Sequence, residues 1–563
     1  MEDEVFELVR KWKREDECEE TEEHLSGLLR ENRIKLLSEL MEPLIKLGKG
    51  GIRGIVGPGY ARLNAQNVQR LAQAFCSTID EDAGVVFVGY DHREHSKMFA
   101  GIICRTVLEY TRRRRKDITA ELFPHTIPKH LVPFACKNSE AICKKKCVGG
   151  FMVTGSHKPR NYNGVKVYNG TGCHLRGEQE KQAWLKMKEL VPTENSVFLW
   201  ELRDTDILSG DSFGATLELY RKELNRIFKK MPKHKVDAVY TPHHGVCQRY
   251  VDMATDCLGL KRVTRVPSQW KEDPLFPTTI FHNIPENDLK SLADAKRTAD
   301  KEKIPVVFAT DPDGDLFCVA ERNSEGWYTF NENEIAVIAL HYLLEKKGRT
   351  KQPNMLVVPY TTSFLLGEIA RVNGVVYYET ELGFSEIGFG VRRQNENNMN
   401  VLLAIGGSFG FLVGNHVWEK DGIAAMCLFY ILLGELSLAK KTLGEYLEEA
   451  LKKYPKIKTR GFYYVGKERR DVENVITRLK EMIDKKTAFM LGEVTLRAKY
   501  TNESIIVFNG KKRKIVLRST FLNPRIKVLV DFLDDDPMEE VIAFCEEILD
   551  VEKNKLTRKM FSI

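Results

Sequence analysis

Asp311, Asp313 and Asp315 stand at alternate positions in Thr310-Asp311-Pro312-Asp313-Gly314-Asp315-Leu316, directly after the apolar run Ile304–Ala309. Three carboxylates so spaced repel one another unless a cation neutralises them. On a tight turn they can converge on one small, hard ion, and oxygen-only ligands suit magnesium or calcium. A calcium loop of the EF-hand kind wants an acid at its twelfth position; counting from Asp311, that residue is Arg322. A solvated acidic turn is the competing reading. The second segment with chemistry in it is Val153-Thr-Gly-Ser156-His157-Lys-Pro-Arg-Asn-Tyr-Asn163-Gly164-Val-Lys166-Val-Tyr168. Ser156 and His157 suggest a nucleophile and a proton carrier, but adjacent residues rarely face the same atom, so a Ser-His hydrolase pair is a poor reading. Taken alone, the segment reads better as a Ser/Asn-rich turn whose side chains satisfy the backbone.

The elements that must hold these segments are legible as alternating strands and helices. Gly84–Tyr90, Gly150–Thr154, Val236–Tyr240, Pro305–Ala309 and Met355–Val358 are short apolar runs that suit buried strands, each followed by a polar or glycine-bearing turn. Phe99–Tyr110 suits a helix. Such alternation predicts α/β units with largely parallel sheets, in which ligands gather outside the carboxyl ends of strands. Residues 1–45 read as helical, with Leu28, Leu29, Ile34, Leu36, Leu37, Leu40 and Leu44 at near-helical spacing. The glycines between Gly48 and Gly59 predict a loop. Towards the carboxy terminus, strand-like Ser504–Phe508, Lys514–Leu517 and Ile526–Val530, then a helix from Met538, predict an α+β unit.

Length and composition narrow the class. At 563 residues the chain exceeds what one core supports, so several domains are expected. Its 86 basic against 79 acidic residues give a net charge of +7, which suits a phosphorylated substrate and does not require nucleic acid. The basic run Arg112–Lys116 reads as a solvated helix end rather than a nucleic-acid patch. No signal-like apolar core opens the chain, and Ile423–Leu433 is too short to span a bilayer and reads as a buried helix. Twelve scattered cysteines, with Lys144–Lys146 crowding the Cys136, Cys143 and Cys147 group, argue against a zinc clip. Reduced thiols and a cytoplasmic location are expected.

In combination, the two chemical segments resemble those of the α-D-phosphohexomutases. The first is similar to their phosphoserine loop, T-A-S-H-N-P, with Gly155 and Lys158 replacing the alanine and asparagine; the second is similar to their magnesium loop, D-P-D-A-D-R. Further matches fall in family order: Gly51-Ile-Arg53-Gly54 with Gly57-Pro-Gly59, Gly89-Tyr-Asp91-His-Arg93, Tyr240-Thr-Pro-His-His244-Gly245 and Lys420-Asp421-Gly422. The helical leader and the Gly57-Pro-Gly59 loop resemble the branch that contains phosphoglucomutase 2 and phosphopentomutase. The resemblance implies four domains around a central cleft, three α/β with mixed, largely parallel sheets and a carboxy-terminal α+β domain. Their expected extents are 1–205 (leader and phosphoserine loop), 206–325 (metal loop), 326–447 (sugar loop) and 448–563 (phosphate loop).

It also implies chemistry. Ser156 would carry a phosphoryl group that, with Asp311, Asp313 and Asp315, binds Mg2+. Lys166 would be the general acid–base, with His157 beside the nucleophile and Arg53 adding positive charge. Ser408, Arg518, Ser519, Thr520 and Arg525 would bind a small-molecule phosphosugar, with glucose 1,6-bisphosphate as primer and neither nucleic acid nor membrane as partner. Four positions depart from the family pattern. Leu316 replaces the arginine that ends the metal loop, Ser385 replaces a lysine, and Gly406-Gly407 replaces two sugar-gripping glutamates. The phosphate loop R-x-S-G-T-E-P-K reads Arg518-Ser-Thr-Phe-Leu-Asn-Pro524-Arg525. A phosphoglucomutase-type enzyme of reduced or altered activity is expected. An impaired paralogue that binds phosphosugar or a protein partner, a phosphopentomutase and a sugar-bisphosphate synthase are the alternatives. Returning glutamates to 406 and 407, with arginine at 316, is expected to raise turnover.

Overall fold

The structure is a computed structural model that describes residues 2–561 except 16–18, 49, 191–211, 280–290, 348–350, 502–504, 511–512, 521–523 and 534–537. The division expected at 205/206 lies outside the described residues. Four sheets organise the described residues.

The first three sheets share one plan. In each, three parallel strands form one side and antiparallel pairing the other, through two further strands in the first and second sheets and one in the third, so that one strand is parallel to one neighbour and antiparallel to the other. Cys147–Val153 pairs in parallel with Ala83–Tyr90 and antiparallel with Tyr162–Asn169. Val306–Thr310 does the same between Val239–Thr241 and Phe317–Asn323. Asn400–Ile405 does it between Asn354–Pro359 and Phe411–Val413. These strands are apolar on both faces because helices cover them, as parallel sheets require. The fourth sheet has seven strands, all paired antiparallel. Helices Arg469–Asp484 and Met538–Leu549 cover it.

The leader folds as helices Glu2–Glu15, Glu19–Arg30 and Ile34–Met41. The expected loop between Gly48 and Gly59 contains a strand instead, Gly51–Ile55, antiparallel to Tyr162–Asn169. Glycine is required there by the pairing itself: a Cβ on Gly51 would lie 2.0 Å from the Val165 carbonyl oxygen. The apolar segment around Ile423–Leu433 is the buried helix Gly422–Leu438. Among the described residues, no single helix is long and apolar enough to cross a membrane.

Candidate active site

In each of the first three sheets, the strand that switches from parallel to antiparallel pairing runs into a loop with functional character. Thr154-Gly155-Ser156 follows the first, Asp311–Asp315 the second and Gly406-Gly407-Ser408 the third. A strand order that reverses at that point leaves a crevice at the carboxyl ends, where a ligand can sit.

Ser156 is buried with φ of 51°, a left-handed conformation that is rare outside glycine and marks an over-determined backbone. Arg93 supplies much of that constraint. Its guanidinium donates to the carbonyl oxygens of Ser156, Lys158, Pro159 and Tyr162 at 2.6–3.0 Å, while Asp91 lies 3.4 Å from its Nε. The Ser156 N–H donates to Thr154 Oγ1 at 2.8 Å, and that hydroxyl donates to Asp313 Oδ2 at 3.0 Å. Ser156 Oγ then lies 3.3 Å from both Asp311 Oδ2 and His157 Nδ1. The adjacent histidine thus does reach the serine, because the left-handed turn at Ser156 folds the two side chains onto one side. Burial, followed by the charge of Arg53, lowers His157 to about 3, so its imidazole is neutral at physiological pH.

The three aspartates converge as their spacing requires: one oxygen of each lies within 4.8 Å of the others. Asp311 Oδ1 accepts the N–H groups of Asp315 and Leu316 at 2.9 Å, which closes the turn. Asp313 Oδ1 and Asp315 Oδ1 are buried without a hydrogen-bond donor. Burial and the neighbouring carboxylates push Asp311 well up. Oxygen-only donors, orphaned lone pairs and repelling charges fit a small divalent cation such as magnesium.

Sequence reasoning missed Lys129. It precedes helix Leu131–Lys137 of the first unit, is 4% exposed, and its ammonium donates to Asp315 Oδ2 and lies 3.5 Å from Glu419. Nothing in the spacing of Pro128-Lys129-His130 announces this. Lys420 reaches the same Asp315 oxygen at 2.8 Å. Asp421 fixes its direction by capping helix Gly422–Leu438, accepting the Ala424 N–H at 2.9 Å. Against the burial that raises it, Lys129 and Lys420 hold Asp315 well below the usual carboxylate range. Glu419 is held by His174 at 2.6 Å and Tyr168 at 3.2 Å. In this contact set four carboxylates face two ammonium groups, a charge that one divalent ion balances.

Lys166 lies opposite Gly51 across the strand pair, and Arg53 opposite Gly164. Burial, then the charges of Arg53 and Lys129, bring Lys166 down to about 7. Leu316 is buried in the apolar core and bridges to Gly410, and the Phe317 N–H donates to the Phe409 carbonyl at 2.9 Å. The metal loop is thereby tied to the sugar loop by backbone, where an arginine would have used charge.

The remaining expected residues gather only in part. A cavity of about 350 Å³ between the third and fourth sheets is lined by Gly406, Gly407, Ser408 and, from the fourth sheet, Arg518. Arg518, Ser519 and Thr520 lie on strand Arg513–Thr520, and Arg525 opens strand Arg525–Leu533; the turn residues 521–523 lie outside the described residues. Ser519 alternates to the face opposite Arg518 and is not among the cavity's lining residues. Arg525 stacks over the Tyr463 ring at 5.3 Å. Lys527, the direct cross-strand partner of Arg518, lines the cavity and was missed. Ser385 is buried in the first turn of helix Phe384–Glu396.

Local geometry opposes the expected gain from glutamates at 406 and 407. A Cβ on Gly406 would meet Phe384 Cδ2 at 2.5 Å, and Gly407 has φ of 66°. Arginine at 316 would place a cation in the apolar core that Leu316 now fills.

Comparison with known proteins is consistent with this geometry. The family descriptions Phosphoglucomutase/phosphomannomutase, alpha/beta/alpha domains I, II and III, match residues 44–191, 218–326 and 331–454. A probable phosphoribomutase of Schizosaccharomyces pombe is 31% identical over 477 residues, covering 82% of this chain and 78% of its own. The glucose 1,6-bisphosphate synthase of Homo sapiens is 29% identical over 494 residues, 84% of this chain and 77% of its own. A phosphoglucomutase of Staphylococcus aureus is 28% identical over 414 residues, 73% and 72%. Among solved structures, the Paramecium phosphoglucomutase pp63/parafusin, in its open form, superposes with a TM-score of 0.65 at 16% identity, covering 92% of this chain and 96% of its own. A Burkholderia thailandensis phosphoglucomutase/phosphomannomutase family protein does so with 0.66 at 16%, covering 90% and 97%. With three matched domains and a relative of 31% identity over 82% of this chain, the chain belongs to the phosphoglucomutase/phosphomannomutase family, the α-D-phosphohexomutases.

Proposed function

We propose that the chain interconverts glucose 1-phosphate and glucose 6-phosphate through a phosphoserine at Ser156 and a bisphosphate intermediate, with glucose 1,6-bisphosphate as primer. The observation that carries this reading is Ser156 Oγ, 3.3 Å from Asp311 in a carboxylate triad suited to a divalent ion, with Arg53 and Lys166 on the paired strands Gly51–Ile55 and Tyr162–Asn169. Mg2+ held by Asp311, Asp313, Asp315 and the phosphoserine would neutralise charge on the phosphoryl group.

The rest is done by the chain's own groups. In the first half-reaction the O6 hydroxyl of glucose 1-phosphate attacks phosphorus. Lys166, neutral in part near pH 7, takes the hydroxyl proton as the new O–P bond forms and the Ser156 Oγ–P bond breaks. Arg53 faces the charge that spreads over the phosphoryl oxygens. The bisphosphate then turns over, and its C1 phosphate passes to Ser156. In that step the proton returns to the O1 leaving oxygen, which gives glucose 6-phosphate. Arg518 and Lys527 face each other across their strands and suit the phosphate that is not reacting.

A coupled assay of glucose 6-phosphate formation, primed with glucose 1,6-bisphosphate, tests the reading. Wild-type protein should turn over and Ser156→Ala should not; equal rates would overturn it. A second reading, release of the bisphosphate as product, is favoured by the relative named glucose 1,6-bisphosphate synthase. In that case bisphosphate would accumulate in the same assay when a separate phosphoryl donor is supplied.

A further inference from the structure

Two departures from the family pattern are opposite in charge and meet at one carboxylate. Leu316 stands where the metal loop has arginine, and Lys158 stands where the phosphoserine loop has neutral asparagine. Asp311 links the two positions. Its Oδ1 accepts the Leu316 N–H at 2.9 Å, and its Oδ2 lies 3.3 Å from the Oγ of Ser156, two residues before Lys158. A positive charge is thus missing on the metal side of the nucleophile and added on the serine side.

The loop fixes where that added charge starts. The Lys158 N–H donates to the Gly155 carbonyl at 3.2 Å, closing a turn around Ser156 and His157. One nitrogen of the buried Arg93 guanidinium donates to the carbonyl oxygens of both Ser156 and Lys158 at 2.6 Å, tying the two main-chain positions together. The Lys158 side chain is half-buried, and among the described residues no acid pairs with it and no acceptor takes its ammonium hydrogens. It meets cations instead. Burial, then the charge of Arg53, lowers Lys158; burial, then Arg53, lowers His157, with Lys420 and Lys158 acting in the same direction. The Lys158 charge is therefore felt at the imidazole that lies 3.3 Å from Ser156 Oγ. Arg53 is likewise half-buried without a paired acid among the described residues. The aspartate argument applies in reverse: cations held together without a counter-charge suit an anion between them, and the phosphoryl group of a phosphoserine is such an anion.

We propose that Lys158 is a further catalytic residue, whose ammonium donates to the non-bridging oxygens of the phosphoryl group carried by Ser156 and supplies positive charge that Leu316 does not. The proposal rests on the phosphoserine reading above. A flexible stem with three donors lets the ammonium stay on those oxygens as phosphorus moves between Ser156 Oγ and the sugar oxygen. Lys158 makes and breaks no covalent bond and moves no proton; it faces the charge that spreads over the phosphoryl oxygens.

The test is the rate at which glucose 1,6-bisphosphate phosphorylates the full chain with Mg2+ present, followed by intact mass, with turnover of glucose 1-phosphate measured beside it. Loss of a charge-assisted hydrogen bond lowers such a rate about 10- to 100-fold. Lys158→Asn, which installs the family residue, and Lys158→Gln should both lose that much in phosphorylation rate and in kcat. Tm and KM for glucose 1-phosphate should not change, since the phosphoryl group is on Ser156 before the sugar binds. Lys158→Arg should recover most of the loss. Rates equal to wild type in both neutral variants would overturn the proposal and leave the proposed function standing. A loss that comes with a lower Tm in both, or that Lys158→Arg does not recover, would assign Lys158 to holding the loop, and would also overturn it. Wild-type protein that takes no phosphoryl group on Ser156 would overturn the proposed function, and this proposal with it.

Discussion

Lys166 is brought down to about 7 by burial and by the cations around it, which suits the proposed role of taking a proton in the first half-reaction and returning it in the second. A base works in its unprotonated form, so kcat/KM for glucose 1-phosphate should rise as pH increases through about 7. Lys166→Met should lower the rate about 10²- to 10⁴-fold and abolish that limb; a limb that survives the substitution would assign the proton transfer elsewhere. Lys129 pairs with Asp315 and Glu419. Lys129→Met leaves Asp315 and Glu419 buried with fewer counter-charges, and breaking a buried pair costs about 3–5 kcal/mol. The variant should melt at lower temperature, and Mg2+ should raise its Tm more than it raises that of wild type, since the ion supplies the missing charge. Equal Mg2+-induced shifts would contradict that role. Gly406→Glu should destabilise the fold by about 1–3 kcal/mol, measured as a lower urea midpoint, because the Phe384 ring occupies the space its Cβ needs. An unchanged midpoint would show that the ring gives way.

At the scale of elements, the leader is part of the first unit's packing. Trp12 is fully buried and meets Tyr60 edge-on with ring centroids 4.9 Å apart, and Arg70 stacks on Tyr60 at 4.9 Å. Trp12→Ala should cost about 3–5 kcal/mol in chemical denaturation; no loss would make the leader an appendage. The strands that matter most were legible, because Gly150–Thr154 and Pro305–Ala309 are apolar on both faces and end in turn residues. Gly51–Ile55 was not, since its pairing partner lies more than a hundred residues away and glycine signals a turn locally. The aspartate triad and Ser156 were legible from type and spacing. Lys129 and Lys527 were not, because each meets groups of another unit and local pattern carries no trace of such contacts. Arg518 and Ser519 illustrate the limit: both stood in one quoted motif, yet the pleat sends them to opposite faces.

Across the whole molecule, contacts from three units converge on the metal loop. Lys129 comes from the first, the aspartates from the second, and Glu419 with Lys420 from the third. The Gly422 N–H donates to the Gly314 carbonyl at 3.0 Å, adding a backbone tie between the second and third. The fourth unit meets the third through Asp531 at Ser363 and Phe364, and through Lys514 at Glu379, placing Arg518 and Lys527 across the cavity from the sugar loop. Such convergence is what a reaction needs when one phosphoryl group must be held at a metal while another is gripped at a distance. The central claim is that Ser156 is the residue that carries the phosphoryl group between those two events. Intact-mass measurement and peptide mapping after incubation with glucose 1,6-bisphosphate and Mg2+ test it directly. One phosphoryl group on the peptide containing Ser156, absent from Ser156→Ala, is the predicted result; phosphate on another residue only, or on none, would contradict it.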